Sequence, residues 1–173
     1  MKKRILTGFL SIGLLMFPAQ VFADHHGGDH ANHHAKMDHK TLVNHFYDVV
    51  MTQHKLEMAE HFIAADAIEH EQSMMTDPKK NTLENFKVMM QSMWKAFPDM
   101  KFTAVDTLVD GNRIMVIYRM TGTNTGDFMG MKATNKKIDI TGVDIMKIDN
   151  GKFVEHWGFM DSMVMMQQLG MMH

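Results

Sequence analysis

The sequence predicts an α+β domain with helices packed on one face of a curved antiparallel sheet. Three observations predict it. Apolar residues recur at helical spacing up to Pro98, and β-branched and aromatic residues crowd four segments after it. Asp110-Gly111-Asn112 and Asp149-Asn150-Gly151 are turn sequences of the kind that close tight hairpins. Helices first, then a meander, then a short closing helix is the order of a sheet covered on one side.

The chain opens with Lys2, Lys3 and Arg4, followed by an apolar stretch from Ile5 to Phe17, then Pro18 and Val21-Phe22-Ala23. This is the pattern of a cleavable signal peptide over residues 1–23. The apolar run falls short of the ~20 residues that a membrane-spanning helix needs. The mature protein is therefore expected to be exported, to the periplasm or outside the cell, with no membrane anchor after cleavage. There is no cysteine, which excludes disulfides and thiolate metal sites. The segment carries three of the 18 basic residues and none of the 20 acidic ones. The mature balance is acidic and disfavours nucleic acid as a partner.

Residues 24–39 hold six of the twelve histidines and almost nothing that can pack. They are expected to form a disordered tail, and residues 40–173 one domain. Leu42, Phe46, Val49 and Val50 recur at helical spacing. Leu56, Ala59, His61, Phe62 and Ile63 suggest a second short helix. Asn81, with Glu84 three residues on, reads as a capped helix start. That helix carries Leu83, Phe86, Met90, Met93 and Phe97 on one face and ends at Pro98. Strands are expected over 101–109, 113–121, 137–148 and 152–160, and a last helix over 162–169 stops at Gly170.

Several motifs fall in a familiar order: Asp66-Ala67-Ile68-Glu69-His70, Phe97-Pro98-Asp99, Asp110-Gly111-Asn112-Arg113, Thr121-Gly122-Thr123-Asn124-Thr125-Gly126, Glu155-His156-Trp157-Gly158-Phe159-Met160-Asp161 and Gln168-Leu169-Gly170. The set resembles the SnoaL-like polyketide cyclases, or ester cyclases, of the cone-fold superfamily typified by nuclear transport factor two. The resemblance spans roughly residues 40–170. It implies a bent sheet wrapped around a pocket that the helices close, cofactor-independent acid–base chemistry of the aldol or isomerase type, and a homodimer formed through the open sheet face. Asp161 matches the family's acid–base aspartate, His70 a pocket histidine and Trp157 a pocket aromatic. Asn124, Thr134-Asn135-Lys136 and Ala67 depart from the family pattern, which bears on the substrate more than on the fold.

Each candidate also has a plainer reading. Asp161 can act as a base if the pocket desolvates it, or it can cap the last helix. His70 can protonate a substrate oxygen, or bond a backbone carbonyl at a strand end. Glu155 and Trp157 share the parity of Asp161 along an extended segment and are expected on the same face. Trp94 and Tyr118 are further lining candidates, with core packing as the alternative. Of the 22 methionines, Met89, Met90 and Met93 sit where a helix needs apolar residues, so they read as adaptable core and pocket lining.

The function expected is binding of a small hydrophobic carbonyl compound, with acid–base chemistry by Asp161 and His70. The alternative is a non-catalytic binder of small molecules, or of copper or nickel through the tail. Cleavage after Ala23 would free the amine of Asp24 and place His26 third, a four-nitrogen set suited to Cu(II) or Ni(II). His25, His30, His33, His34 and His39 would add weaker ligands.

Overall fold

The computed structural model describes residues 37–71 and 75–172; the signal-peptide residues, most of the histidine tail and its Asp24–His26 site lie outside them. The folded part begins slightly before residue 40. Asp38 caps helix α1 (His39–Phe46), its carboxylate accepting from Thr41 N at 3.0 Å, so His39 is already helical. The helix then widens into a π-helical turn, Tyr47–Thr52, which buries Tyr47, Val49, Val50 and Met51. A 3₁₀ turn, Leu56–Met58, and helix α2, Ala59–Phe62, form the expected second helical segment. Ile63 starts strand β1 (Ile63–Glu69) instead of ending that segment.

Helix α3 (Thr82–Ala96) begins with the expected capping box: Asn81 Oδ1 accepts from Glu84 N, and Glu84 Oε2 accepts from Asn81 N, each at 2.9 Å. Buried Asn85 fastens the preceding loop, donating to the carbonyls of Asp77, Lys80 and Asn81 and accepting from Asp77 N. Strands β2 (Lys101–Asp110), β3 (Arg113–Thr123), β4 (Lys137–Asp149) and β5 (Lys152–Met160) follow, then helix α4 (Ser162–Leu169). Asn150 and Gly151 both have positive φ in the β4–β5 turn, as a two-residue hairpin with Asn-Gly requires.

The strand order is β1-β5-β4-β3-β2. β2 to β5 form the expected antiparallel meander, and β1 joins it parallel to β5, which makes the sheet mixed. A parallel partner needs a long crossover, and the α3–β2–β3–β4 excursion supplies it. Register irregularities in the β1–β5, β2–β3 and β4–β5 pairs bend the sheet. Its concave face presents Ile114, Val116, Tyr118 and Met120 from β3, and Ile138, Ile140, Met146 and Ile148 from β4. Against these pack Leu42, Phe46, Val50, Phe62, Phe86 and Met90 of the helical layer. No described helix is long and apolar enough to cross a membrane.

Several of the familiar motifs serve this fold. Asp99 accepts from Thr123 N at 2.6 Å and Thr123 Oγ1 at 2.7 Å, tying the α3–β2 turn to the end of β3. Those bonds hold its carboxyl below the usual carboxylate range. Gln168 exchanges two hydrogen bonds with the backbone of Asp139, which docks α4 on β4. Asn124 is fully buried; it donates to Gly126 O at 2.8 Å and accepts from Thr134 N at 2.8 Å, closing the β3–β4 connection.

Candidate functional site

Between the concave sheet face and the helical layer lies a cavity of about 370 Å³. Four residues of α3 spaced at i, i+3, i+4 and i+7 (Phe86, Met89, Met90 and Met93) form one wall. Met51 enters from the π-helical turn, Phe102 from β2, Tyr118 and Met120 from β3, and Met146 from β4. Seven methionines line the space, counting Met160 at the end of β5. The expectation of methionines as core and lining holds for these residues.

The cavity floor is polar. Asp144 sits on the inward face of β4, in phase with Ile138, Ile140, Met146 and Ile148. Tyr47 Oη donates to Asp144 Oδ2 at 2.5 Å, while His156 Nε2 lies 3.3 Å from Asp144 Oδ1. The other ring nitrogen, His156 Nδ1, lies 2.8 Å from Glu69 Oε2. Glu69 Oε1 accepts in turn from Glu71 N at 2.8 Å. The π-helical turn is what aims Tyr47 at this cluster; such turns often mark sites where a side chain is re-aimed.

Electrostatics follow from this geometry. Burial by itself would strip the charge from His156, but the hydrogen bonds and charges of Asp144 and Glu69 outweigh it and raise its pKa to about 10. His156 is therefore an imidazolium at neutral pH, donating from both nitrogens. Burial, then the Asp144 carboxylate, pushes the Tyr47 hydroxyl well above its usual pKa. Burial, with Asp144 and Glu71 nearby, does the same to Tyr118. Both phenols stay protonated donors. Space for Tyr118 is made by Gly142, its register partner on β4: a Cβ there would lie 2.3 Å from Tyr118 Oη.

The sequence candidates divide around this cavity. Tyr118 and Glu155 line it. Asp161 caps α4, its Oδ1 accepting from Val164 N at 3.0 Å, and is exposed beside the lining residues Met160 and Ser162. His70 follows the last residue of β1 and donates its backbone N–H to His156 O at 3.0 Å. Its ring stacks on Trp157 at 4.4 Å and its Nε2 lies 3.0 Å from Glu155 Oε1, so it reaches the cavity through Glu155. Trp157 alternates with the lining residues His156 and Gly158 along β5, and Arg113 lies over its ring at 5.6 Å. Trp94 stacks on His54 at 4.3 Å, away from the lining.

Asp144, His156, Glu69 and Tyr47 are the functional candidates that the sequence reading passed over. The signal for Asp144 was present: Ile138, Ile140, Gly142, Asp144, Met146 and Ile148 alternate strictly, so a carboxylate was written into an inward-facing row. Among the described residues, no group of three or more His, Asp or Glu is arranged to hold a metal ion.

A family model for the SnoaL-like polyketide cyclases matches residues 41–169. The fold is similar to that of TsrD from Streptomyces laurentii, at 20% identity and a TM-score of 0.68 over 79% of this chain and 100% of that one. It is similar to IdmH, a polyketide cyclase by its description, from Streptomyces antibioticus, at 26% identity and a TM-score of 0.67 over 76% of this chain and 97% of that one. AclR from Streptomyces galilaeus, described as a hydroxylase, also shares the fold at 20% identity and a TM-score of 0.66, over 78% of this chain and 96% of that one. No curated protein sequence matches the chain.

Proposed function

The chain belongs to the SnoaL-like polyketide cyclase family, and from that premise we propose that its cavity binds a small hydrophobic carbonyl compound and catalyses proton transfer on it. The observation that carries the reading is a carboxylate and a protonated phenol facing one apolar cavity: Asp144 and Tyr118. Proton abstraction next to a carbonyl needs a base in reach of the C–H and a donor for the oxygen that becomes an enolate. Asp144 takes the proton and becomes a carboxylic acid. Tyr118 Oη–H donates to the developing oxyanion, and the proton returns from Asp144 to the product carbon. Tyr47 and the His156 imidazolium fix the Asp144 carboxylate, and the thioether and phenyl walls exclude water.

A second reading keeps the base at Asp161, the position that the family resemblance points to, with His70 assisting. It draws support from Met160 and Ser162, the lining residues on either side of Asp161. Asp144→Asn and Asp161→Asn separate the two, because each amide keeps shape and removes the base.

We also propose that the N-terminal segment directs the protein out of the cytoplasm and, from the family resemblance, that it forms a homodimer through the open sheet face. The alternative reading is a binder of Cu(II) or Ni(II) through the amine of Asp24 and the His26 ring at the mature terminus. Native mass spectrometry of protein purified from its own compartment tests the function. A retained organic mass that Met90→Trp abolishes supports it. A retained metal without an organic mass contradicts it and favours the metal-binding alternative.

A further inference from the structure

Two buried nitrogens beside the cavity make no bond in the fold and take no part in the proposed proton transfer. His54 Nε2 and Trp94 Nε1 are shut off from solvent and have no hydrogen-bond partner among the described residues. Burying a polar atom without a partner is costly, and native structures keep few such atoms. The two rings stack at 4.3 Å and within 19° of parallel, which holds both nitrogens in one small volume. His54 also has a positive φ of 60°, a strained backbone for a residue with a side chain. Strain of this kind gathers at functional sites. The pair adjoins the cavity. Phe86, Met90 and Trp94 follow one another a turn apart on α3, so Trp94 continues a row of the lining wall. His54 comes three residues after Met51, which lines the cavity. Thr52, between them, exchanges hydrogen bonds with the backbone of Phe102, another lining residue.

We propose that His54 and Trp94 form a second polar subsite, at the end of the cavity bounded by Met51, Met90 and Phe102, and that it binds a hydroxyl group of the ligand. Trp94 Nε1–H can only donate, while His54 Nε2 donates or accepts according to which ring nitrogen holds the proton. A hydroxyl answers the pair in either case, because its oxygen accepts and its hydrogen donates. A methyl group of the same size leaves both nitrogens unpaired. The unbranched thioether side chains of Met51 and Met90 are adaptable enough to let a ligand pass between them to the subsite. This rests on the reading of the cavity as the ligand site and narrows the ligand class. The ligand is a hydroxy ketone whose carbonyl meets Tyr118 and whose hydroxyl meets His54 and Trp94.

The probes are beta-tetralones with a hydroxyl at each free position of the benzene ring, each beside its methyl counterpart. They are titrated calorimetrically into the full protein at neutral pH. At least one hydroxy compound should bind about tenfold or more tighter than its methyl counterpart. Trp94→Phe keeps a ring in the stack and removes the N–H, while His54→Gly removes the imidazole and suits the positive φ. Each substitution should erase the preference for the hydroxyl and leave binding of the methyl compound in place. Equal binding within every pair, or a preference that survives either substitution, overturns the subsite and leaves the cavity reading standing. If no tetralone binds, both are overturned.

Discussion

Glu69 and His156 are register partners across the parallel β1–β5 seam, and His156 Nδ1 meets Glu69 Oε2 at 2.8 Å beneath the cavity. Through its other nitrogen His156 reaches Asp144 on β4, and through Asp144 the cluster reaches Tyr47 of the helical layer. One imidazolium thus joins three strands and the helices that cover them. His156→Ala leaves two largely buried carboxylates without their shared cation. The expected cost is about 3–5 kcal/mol in urea unfolding, the range for breaking a buried ion pair from one side. A loss under about 1 kcal/mol, the scale of a solvent-screened surface pair, would show that the cluster is not closed to water.

The same cluster sets an alkaline limit. The His156 pKa is raised from 6.5 to about 10, so its contribution to stability is complete below pH 6.5. It falls as pH rises from there, because the unfolded chain releases the proton first, and is gone above about pH 10. Thermal melts between pH 6 and 10.5 should show a decline that His156→Gln flattens. A parallel decline in both proteins would assign it to other groups.

Gly142 and Tyr118 make a second coupled pair. A methyl group at residue 142 would stand 2.3 Å from Tyr118 Cζ and Oη, so Gly142→Ala must push the ring into the cavity. Overpacking of this kind costs about 1–3 kcal/mol, and ligand binding should weaken along with stability. Unchanged melting and binding would mean that the ring has another place to go.

Asp161 offers a clean division between capping and chemistry. Asp161→Ala should lower stability by about 1 kcal/mol by removing the acceptor for Val164 N, while Asp161→Asn should be nearly neutral. On the account with Asp144 as base, Asp161→Asn also keeps turnover. Loss of turnover without loss of stability in Asp161→Asn would move the base to the helix cap.

The fold was legible because its signals are local. The Asn81–Glu84 capping box, the Asn150–Gly151 turn and Gly170 at a left-handed helix stop each name an element boundary by themselves. The parallel placement of β1 was not legible, since nothing in Ile63–Glu69 says which edge it joins. The site was harder still. Tyr118 and Glu155 were found, but the cluster below them draws Tyr47, Glu69, Asp144 and His156 from four elements far apart in sequence. The register irregularity between Lys147 and Ile148 also breaks the simple alternation along β5, and the inward residues prove to be His156 and Gly158 instead of Trp157. The motifs that mark the family most plainly, around Asp99, Asn124 and Gln168, turn out to hold strands and helices in place. They fix the family without naming the ligand.

The central claim is that Asp144 and Tyr118 move a proton inside the cavity. Its most direct test is the exchange of α-protons of beta-tetralone, a hydrophobic ketone, followed by NMR in heavy water. The account predicts that the protein accelerates exchange, and that Asp144→Asn and Tyr118→Phe each lower the rate by about a hundredfold or more, or to background, while Asp161→Asn retains it. No acceleration by the parent protein, or acceleration that survives Asp144→Asn and disappears in Asp161→Asn, would contradict it.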